Sequence, residues 1–158
     1  MNVSFIGLGV MGFPMAAHLI NKNNNLNIKV YNRSIEKTQN WIARNKGILT
    51  KSPSEAAENC DIVFMCVGND EDVDQVVRGE NGIMSSIPEK SIIVDHTTAS
   101  SKIAKELYHF CKDEKGVSFI DAPVSGGQAG AENGLLTIMV GGDESSYLKV
   151  APLLKSYA

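Results

Sequence analysis

The sequence has little of what marks secreted, membrane or nucleic-acid-binding proteins. It contains only three cysteines, Cys60, Cys66 and Cys111, and their spacing matches no zinc or redox motif. No apolar run approaches the roughly 20 residues of a membrane span, and no basic segment precedes the first apolar stretch, as it would in a signal peptide. The formal net charge of −3 gives no positive field. We therefore expect no bound metal, no nucleic-acid or membrane partner, and a cytoplasmic location.

Short apolar runs alternate with helical patterns along the whole chain. The run at 61–67 has no polar alternation through Ile62, Val63, Phe64 and Met65, which is typical of a strand covered on both faces. The sequence predicts strands at residues 3–6, 28–31, 48–50, 61–67, 91–95, 117–121 and 135–140. This rhythm predicts a single domain over residues 1–158, an α/β fold with a doubly wound, mostly parallel sheet and helices on both faces.

Several residues mark where the predicted helices begin. Ser34, Ser100 and Asp143 are candidate N-caps, and Ser52 to Glu55 forms a capping box with a proline at the first helical position. The residues that follow 121 are rich in glycine and are predicted to form a loop. In a parallel sheet of this kind, ligands bind at the carboxyl ends of the strands.

The first strand runs into the segment Gly7-Leu8-Gly9-Val10-Met11-Gly12, which has the spacing G-x-G-x-x-G. A strand before it, a helix after it and a second strand beyond give the context of a dinucleotide-binding turn. Gly7 would make the turn, Gly9 would admit the pyrophosphate and Gly12 would let the helix pack on the strand. The alternative is a glycine-rich turn that binds nothing.

The residues after the second strand bear on which dinucleotide is bound. NAD sites usually place an acidic residue about 20 positions after the turn. Here Asn32 occupies that position and is followed by Arg33 and Ser34. An arginine can bind a 2′-phosphate through charge-assisted hydrogen bonds, so the sequence favours NADP, with NAD possible if Arg33 is only a solvated surface residue.

Two further strand ends carry candidate cofactor contacts. Gly68, in Val67-Gly68-Asn69, would allow close approach of the cofactor, while the Asn69 amide could either contact it or belong to an ordinary turn. Hydroxyls follow the next strand in Asp95-His96-Thr97-Thr98, where they could contact the nicotinamide ribose or cap the next helix. His96 lies near the site, but we assign it no chemical role.

The segment from Asp121 to Gly127, with the sequence D-A-P-V-S-G-G, is the most distinctive. Ser125 supplies a hydroxyl, and Gly126 and Gly127 expose successive amides, a combination that suits an anion-binding nest for a carboxylate. An acyl-transfer nucleophile is the weaker interpretation, because the G-x-S-x-G elbow is missing.

Four segments together resemble the β-hydroxyacid dehydrogenase family, whose members include 3-hydroxyisobutyrate dehydrogenase and, more distantly, 6-phosphogluconate dehydrogenase. They cover the chain in order: Phe5 to Gly12 with Pro14-Met15-Ala16, Val30 to Arg33, Val94 to Thr98, and Asp121 to Gly142.

This resemblance implies a role for each matched residue. The glycine turn would bind the dinucleotide phosphates, Thr98 and the segment Val67 to Asn69 would line the cofactor pocket, and Asn32-Arg33 is similar to the NADP-preferring members. Ser125, Gly126 and Gly127 would bind the substrate carboxylate. The family's general acid/base is a lysine on a helix that would begin beyond Ala158, so no catalytic residue is expected in this chain.

The resemblance also implies a second, all-helical domain that this chain lacks and through which the longer protein would form a homo-oligomer. The implied function is hydride exchange between NADP and a short 3-hydroxy acid or its semialdehyde, with this chain as the cofactor-binding half, inactive alone. The alternative is a non-catalytic NADP-binding or assembly module. A 6-phosphogluconate dehydrogenase proper is weaker, because no basic residue flanks Ser125 to Gly127 to hold a sugar phosphate.

Overall fold

Strands and helices alternate throughout the computed structural model, which describes residues 1–158. The strands are β1 (Asn2–Ile6), β2 (Asn27–Tyr31), β3 (Ile48–Leu49), β4 (Ile62–Met65), β5 (Ile92–Asp95), β6 (Ser118–Asp121), β7 (Val124–Ser125) and β8 (Thr137–Ile138). The helices are α1 (Gly12–Lys22), α2 (Ile35–Arg44), α3 (Pro53–Ala57), α4 (Asp70–Arg78), α5 (Ser101–Lys115), α6 (Gly127–Asn133) and α7 (Glu144–Leu154), with a 3₁₀ turn at Ile83–Ser85.

Six parallel strands form the main sheet in the order β3-β2-β1-β4-β5-β6. This order confirms the predicted doubly wound sheet. The direction of winding reverses between β1 and β4, where Phe5 is in register with Phe64 and their rings stack 6.1 Å apart. A crevice opens outside the carboxyl ends of two strands at such a reversal, and it is the usual ligand site of this fold.

Helices cover both faces of the sheet, and successive strand residues point alternately into the two resulting cores. Phe5 and Phe64 face a core completed by α1, α2 and α7, with the fully buried Trp41 as its largest side chain. Ile6 and Met65 face the second core, which is closed by α3, α4 and α5. None of the helices is both long and apolar enough to cross a bilayer.

The region after β6 differs from the prediction. The predicted strand at 135–140 is confirmed only over Thr137–Ile138, and this short strand pairs antiparallel with β7 outside the main sheet. Leu135 and Met139 are exposed, so this run is not covered on both faces as a central strand would be. The predicted glycine-rich loop is also wrong in part, since Gly127–Asn133 forms α6.

All four predicted N-cap residues stand at N-cap positions, and two of them make the side-chain capping bond. The Ser52 and Ser100 hydroxyls accept hydrogen bonds from backbone amides of α3 and α5. Ser34 and Asp143 stand at N-cap positions but make no side-chain capping bond. Asp143 instead accepts a hydrogen bond of 2.6 Å from the Tyr108 hydroxyl, so a tertiary contact has replaced the local one.

Two fully buried threonines allow a paired test of buried hydroxyls. The Thr38 hydroxyl on α2 has no hydrogen-bond partner, whereas the Thr50 hydroxyl donates to the Val30 carbonyl at 2.9 Å. We expect Thr38→Val to raise the free energy of unfolding in urea by about 1 kcal/mol and Thr50→Val to lower it by about 1 kcal/mol. Equal destabilisation by both variants would contradict this assignment.

Candidate functional site

A cleft of about 870 Å³ lies at the carboxyl ends of β1, β2 and β4, at the point where the winding reverses. Ten of the thirteen predicted cofactor residues line it: Gly7, Gly9, Val10, Met11, Gly12, Asn32, Arg33, Ser34, Val67 and Gly68. Leu8, Asn69 and Thr98 do not line it. The topology therefore brings three separate predicted segments to one site.

The glycine turn is held by contacts that exclude side chains. Gly7 has a φ of +95°, and a Cβ there would lie 2.0 Å from the Cys66 carbonyl oxygen. A Cβ at Gly12 would lie 1.9 Å from the Gly7 carbonyl oxygen, so α1 packs as closely on β1 as the sequence predicted. A Cβ at Gly9 would meet nothing within 4 Å. Gly9 therefore faces open space, and the approach of a pyrophosphate there stays a prediction.

The first turn of α1 presents unused hydrogen-bond donors to the cleft. The amides of residues 9 to 12 donate to no group in the chain. The helix has neither a side-chain cap nor an acidic residue in its first turn, whereas Asn69 caps α4, as Ser52 and Ser100 cap their helices. Free amides at the positive end of a helix dipole form an anion site.

Asn32 supports the glycine turn from the end of β2. Its Oδ1 accepts a hydrogen bond of 2.8 Å from the Leu8 amide, and its Nδ2 donates to the Ser34 carbonyl at 3.2 Å. The Leu8 side chain is buried in the core and does not line the cleft. The amide of Asn32 is thus occupied in holding the turn.

Arg33 and Lys37 are the cations that line the cleft, and Glu71, Asp72 and Glu80 are the anions. The Arg33 guanidinium lies 3.7 Å from Asp72 on the opposite wall, with 87% of its side chain exposed. An ion pair this exposed contributes little stability. The Arg33 side chain is therefore held only weakly by Asp72.

The wall opposite the glycine turn is formed by Val67 and Gly68. Asn69, predicted as a cofactor contact, instead accepts a hydrogen bond of 2.9 Å from the Asp72 amide and caps α4. Thr98 is exposed and outside the cleft lining, while its buried neighbour Thr97 accepts a hydrogen bond of 2.9 Å from the Val67 amide. Of the two threonines, Thr97 is the one tied to the cleft wall.

The predicted carboxylate nest, Ser125 to Gly127, lies beyond β6 and does not line the cleft. Its three residues are exposed, and Gly126 and Gly127 have φ values of +134° and +62°. The Ala122 amide donates to the Asp95 carbonyl at 2.8 Å, which keeps this segment beside the carboxyl end of β5. Substrate binding by Ser125, Gly126 and Gly127 stays a prediction.

Three buried or half-buried titratable groups at the cleft have shifted pKa values: Cys66 lines the cleft, and Asp95 and His96 lie behind it. Burial raises the pKa of Asp95 to about 7, although hydrogen bonds from Thr97 oppose the shift, and burial raises the pKa of the Cys66 thiol to about 12. Burial lowers the pKa of His96 to about 4. None of these groups is a free acid or base at the cleft.

His96 has a structural role. Its Nδ1 donates to the Ala122 carbonyl at 2.7 Å, and its Nε2 accepts from the Tyr157 hydroxyl at 2.7 Å. The carbonyl can only accept, which fixes this tautomer. Both ring nitrogens are occupied, so the ring joins the end of β5 to the last residues of the chain.

Sequence reasoning missed the far end of the cleft. Lys37 and Pro53 line it, together with Glu71 and Gln75 on one face of α4 and Gly79 just after the helix. The i, i+4 spacing of Glu71 and Gln75 marks one face of the helix that follows Gly68. That spacing was the available signal.

The comparisons with known proteins agree with this geometry. Residues 2–158 match the family described as the NAD binding domain of 6-phosphogluconate dehydrogenase. An uncharacterized oxidoreductase of Shewanella frigidimarina is 49% identical over 156 residues, which are 99% of this chain and 53% of that protein. The chain thus spans about half the length of such relatives.

Two solved structures share the fold at 29% identity. One is 3-hydroxyisobutyrate dehydrogenase of Mycobacterium tuberculosis with L-serine, with a TM-score of 0.90 over 99% of this chain and 52% of that one. The other is Psf3 in complex with NADP⁺ and 2-OPP, with a TM-score of 0.89 over 99% and 54%. The chain therefore belongs to the β-hydroxyacid dehydrogenase family, as an NAD-binding domain of the 6-phosphogluconate dehydrogenase type.

Proposed function

We propose that this chain is the NADP-binding half of an oxidoreductase that interconverts a short 3-hydroxy acid and its semialdehyde. The observation that carries the proposal is the pairing of free amides at the start of α1 with Arg33 on the same cleft. The amides suit a pyrophosphate, and the arginine stands where an NAD site would usually carry a carboxylate.

The residues of the cleft fit a dinucleotide. The amides of residues 9 to 12 would hold the pyrophosphate, and the open space at Gly9 leaves room for it against the backbone. Val67 and Gly68 would flank the nicotinamide half. The nicotinamide ring, when bound, supplies the hydride acceptor or donor. The protein contributes binding, orientation and a defined face of approach.

The preference for NADP depends on three residues near the end of β2. Arg33 is exposed and only weakly paired, Ser34 makes no side-chain capping bond, and Lys37 lies one turn further along α2. Together they would bind a 2′-phosphate. Asn32 carries no charge that would repel it, and its amide is already occupied by the glycine turn. The NADP⁺ complex of Psf3 supports this assignment by similarity.

A small carboxylate is the proposed substrate. Ser125 to Gly127 offers a hydroxyl and two exposed backbone amides in the left-handed region, a geometry that suits an anion. L-serine, present in the related dehydrogenase structure, is itself a 3-hydroxy acid. The nest would hold the carboxylate so that the carbinol carbon faces the cofactor.

The location, the oligomeric state and the general acid/base of the whole protein are also part of the proposal. We propose a cytoplasmic enzyme that assembles as a homo-oligomer, with a lysine outside this chain as general acid/base. Lys149 and Lys155 on and after α7 are exposed and do not line the cofactor cleft, so they are not assigned that role.

Substitutions at Gly9 and Gly12 test cofactor binding and folding separately. Gly9→Ala adds a Cβ only to open space at an ordinary φ, so we expect stability within about 0.5 kcal/mol of the parent and NADPH binding at least about tenfold weaker. Gly12→Ala drives a Cβ into the Gly7 carbonyl and should destabilise the fold by on the order of 3 kcal/mol. Urea unfolding and NADPH titration measure both; unchanged NADPH affinity in Gly9→Ala would contradict the proposed pyrophosphate site.

A substitution at Arg33 tests the preference for NADP over NAD. We expect Arg33→Ala to weaken NADPH binding about 10- to 100-fold, because it removes charge-assisted hydrogen bonds to the 2′-phosphate, and to leave NADH binding nearly unchanged. Arg44→Ala removes the same charge from the far end of α2, outside the cleft, and serves as the matched control. Equal loss with NADH, or no loss with NADPH, would overturn the preference.

The activity is tested in the longest natural protein that contains this chain. We expect it to oxidise NADPH with at least one short semialdehyde or 2-oxo acid, and Ser125→Ala to raise KM for that substrate about tenfold with NADPH affinity unchanged. Ser145→Ala, an exposed serine on α7, is the control. If no member of a panel of such compounds is reduced, the non-catalytic NADP-binding module becomes the better explanation.

A further inference from the structure

A buried polar chain lies directly behind the wall of the cleft that Val67 forms. It starts at Asp95, the last residue of β5, and continues to Thr97, and these residues are only 2% and 1% exposed. Neither residue lines the cleft. Their hydrogen bonds nevertheless lead to Val67, which lines the cleft.

These hydrogen bonds continue the pairing of β4 with β5 past the last paired residues of the two strands. Met65 is in register with Asp95, and the His96 amide donates to the Met65 carbonyl at 2.8 Å. The next donor on the β4 side is the Val67 amide, and it finds no backbone partner. The Thr97 hydroxyl accepts its hydrogen bond instead, at 2.9 Å.

Thr97 is itself held in place from behind. Its amide donates to Oδ1 of Asp95 at 2.9 Å, which forms a tight turn at the end of β5. Because the turn fixes its backbone, the hydroxyl meets the Val67 amide in a defined direction. Asp95 is held in turn by its pairing with β4 and β6, and its carbonyl accepts a hydrogen bond from the Ala122 amide.

A shift at Val67 would reach the opposite wall of the cleft. A Cβ on Gly7 would lie only 2.0 Å from the Cys66 carbonyl oxygen. The segment after β4 and the glycine turn are therefore in direct contact. The width of the cleft at this point depends on where Val67 and Cys66 are held.

We propose that Thr97 is a positioning residue for the cofactor: its hydroxyl holds the Val67 amide and so fixes the cleft wall against the glycine turn without touching the ligand. This inference rests on the proposed cofactor site. It assigns Thr97 a role different from the direct contact that the resemblance implies for the exposed Thr98. Without the hydroxyl, the half-buried Val67 amide loses its only partner, and the segment moves to find another.

The test compares Thr97→Val, Thr97→Ser and Thr50→Val in this chain by titration with NADPH and by urea unfolding. Thr97→Val should raise the Kd for NADPH about tenfold, and Thr97→Ser should restore it to within about threefold, because serine keeps the acceptor. Thr50→Val also removes a buried hydroxyl that bonds to backbone, but it lies outside the cleft lining. It should lose stability with an unchanged Kd.

Hydrogen exchange at the Val67 amide gives a readout that does not depend on the ligand. Exchange there should become at least about tenfold faster in Thr97→Val, with no such change in Thr97→Ser or Thr50→Val. Each titration is made at a temperature at which circular dichroism shows the variant to be folded, so that loss of binding is not loss of fold.

The outcomes separate this inference from the proposed function. If the parent protein binds neither NADPH nor NADH, the proposed cofactor site fails and the positioning role fails with it. If the parent binds NADPH and Thr97→Val binds it equally well, only the positioning role is overturned. Equal weakening by Thr50→Val would also overturn it, because the effect would then follow stability rather than the wall.

Discussion

The contact between Gly12 and the carbonyl of Gly7 decides where α1 begins, and the geometry of the cleft follows from it. A Cβ on Gly12 would lie 1.9 Å from that oxygen, and a Cβ on Gly7 would lie 2.0 Å from the Cys66 oxygen. Two backbone segments thus approach at distances that no side chain allows. The first amides of α1 are brought by this packing to the reversal point of the sheet, next to the end of β4.

Two side chains hold the walls of the cleft without offering a free group to a ligand. Asn32 bonds to the Leu8 amide on one side, and Thr97 bonds to the Val67 amide on the other. Each uses a polar atom to satisfy a backbone donor that the strand ladder leaves unpaired. Arg33, next to the first of them, stays exposed and available for the ligand. A residue that supports the turn and an exposed cation thus lie next to each other in the same segment.

Local patterns predicted the elements whose burial is simplest. The uniform apolar run that contains β4 identified a strand covered on both faces, and the structure has it at the centre of the sheet. The same reasoning made the strand at 135–140 too long, because this apolar run lies at the margin, where only Thr137–Ile138 pairs antiparallel with β7. Asp143 shows the same limit, because whether a polar side chain at an N-cap position caps the helix or bonds elsewhere depends on distant neighbours.

The sequence by itself determined the fold class, the glycine turn and the charge that stands in place of a carboxylate after β2. These properties reside in the order and chemistry of neighbouring residues, and backbone sterics and burial act on them locally. Three features follow from the folded arrangement alone: Asn32 supports the turn, Thr97 rather than Thr98 bonds to the cleft wall, and α4 forms the far end of the cleft. The physical reason is that a hydrogen bond is made by atoms that meet in space. The partners here lie 24 and 30 positions apart along the chain.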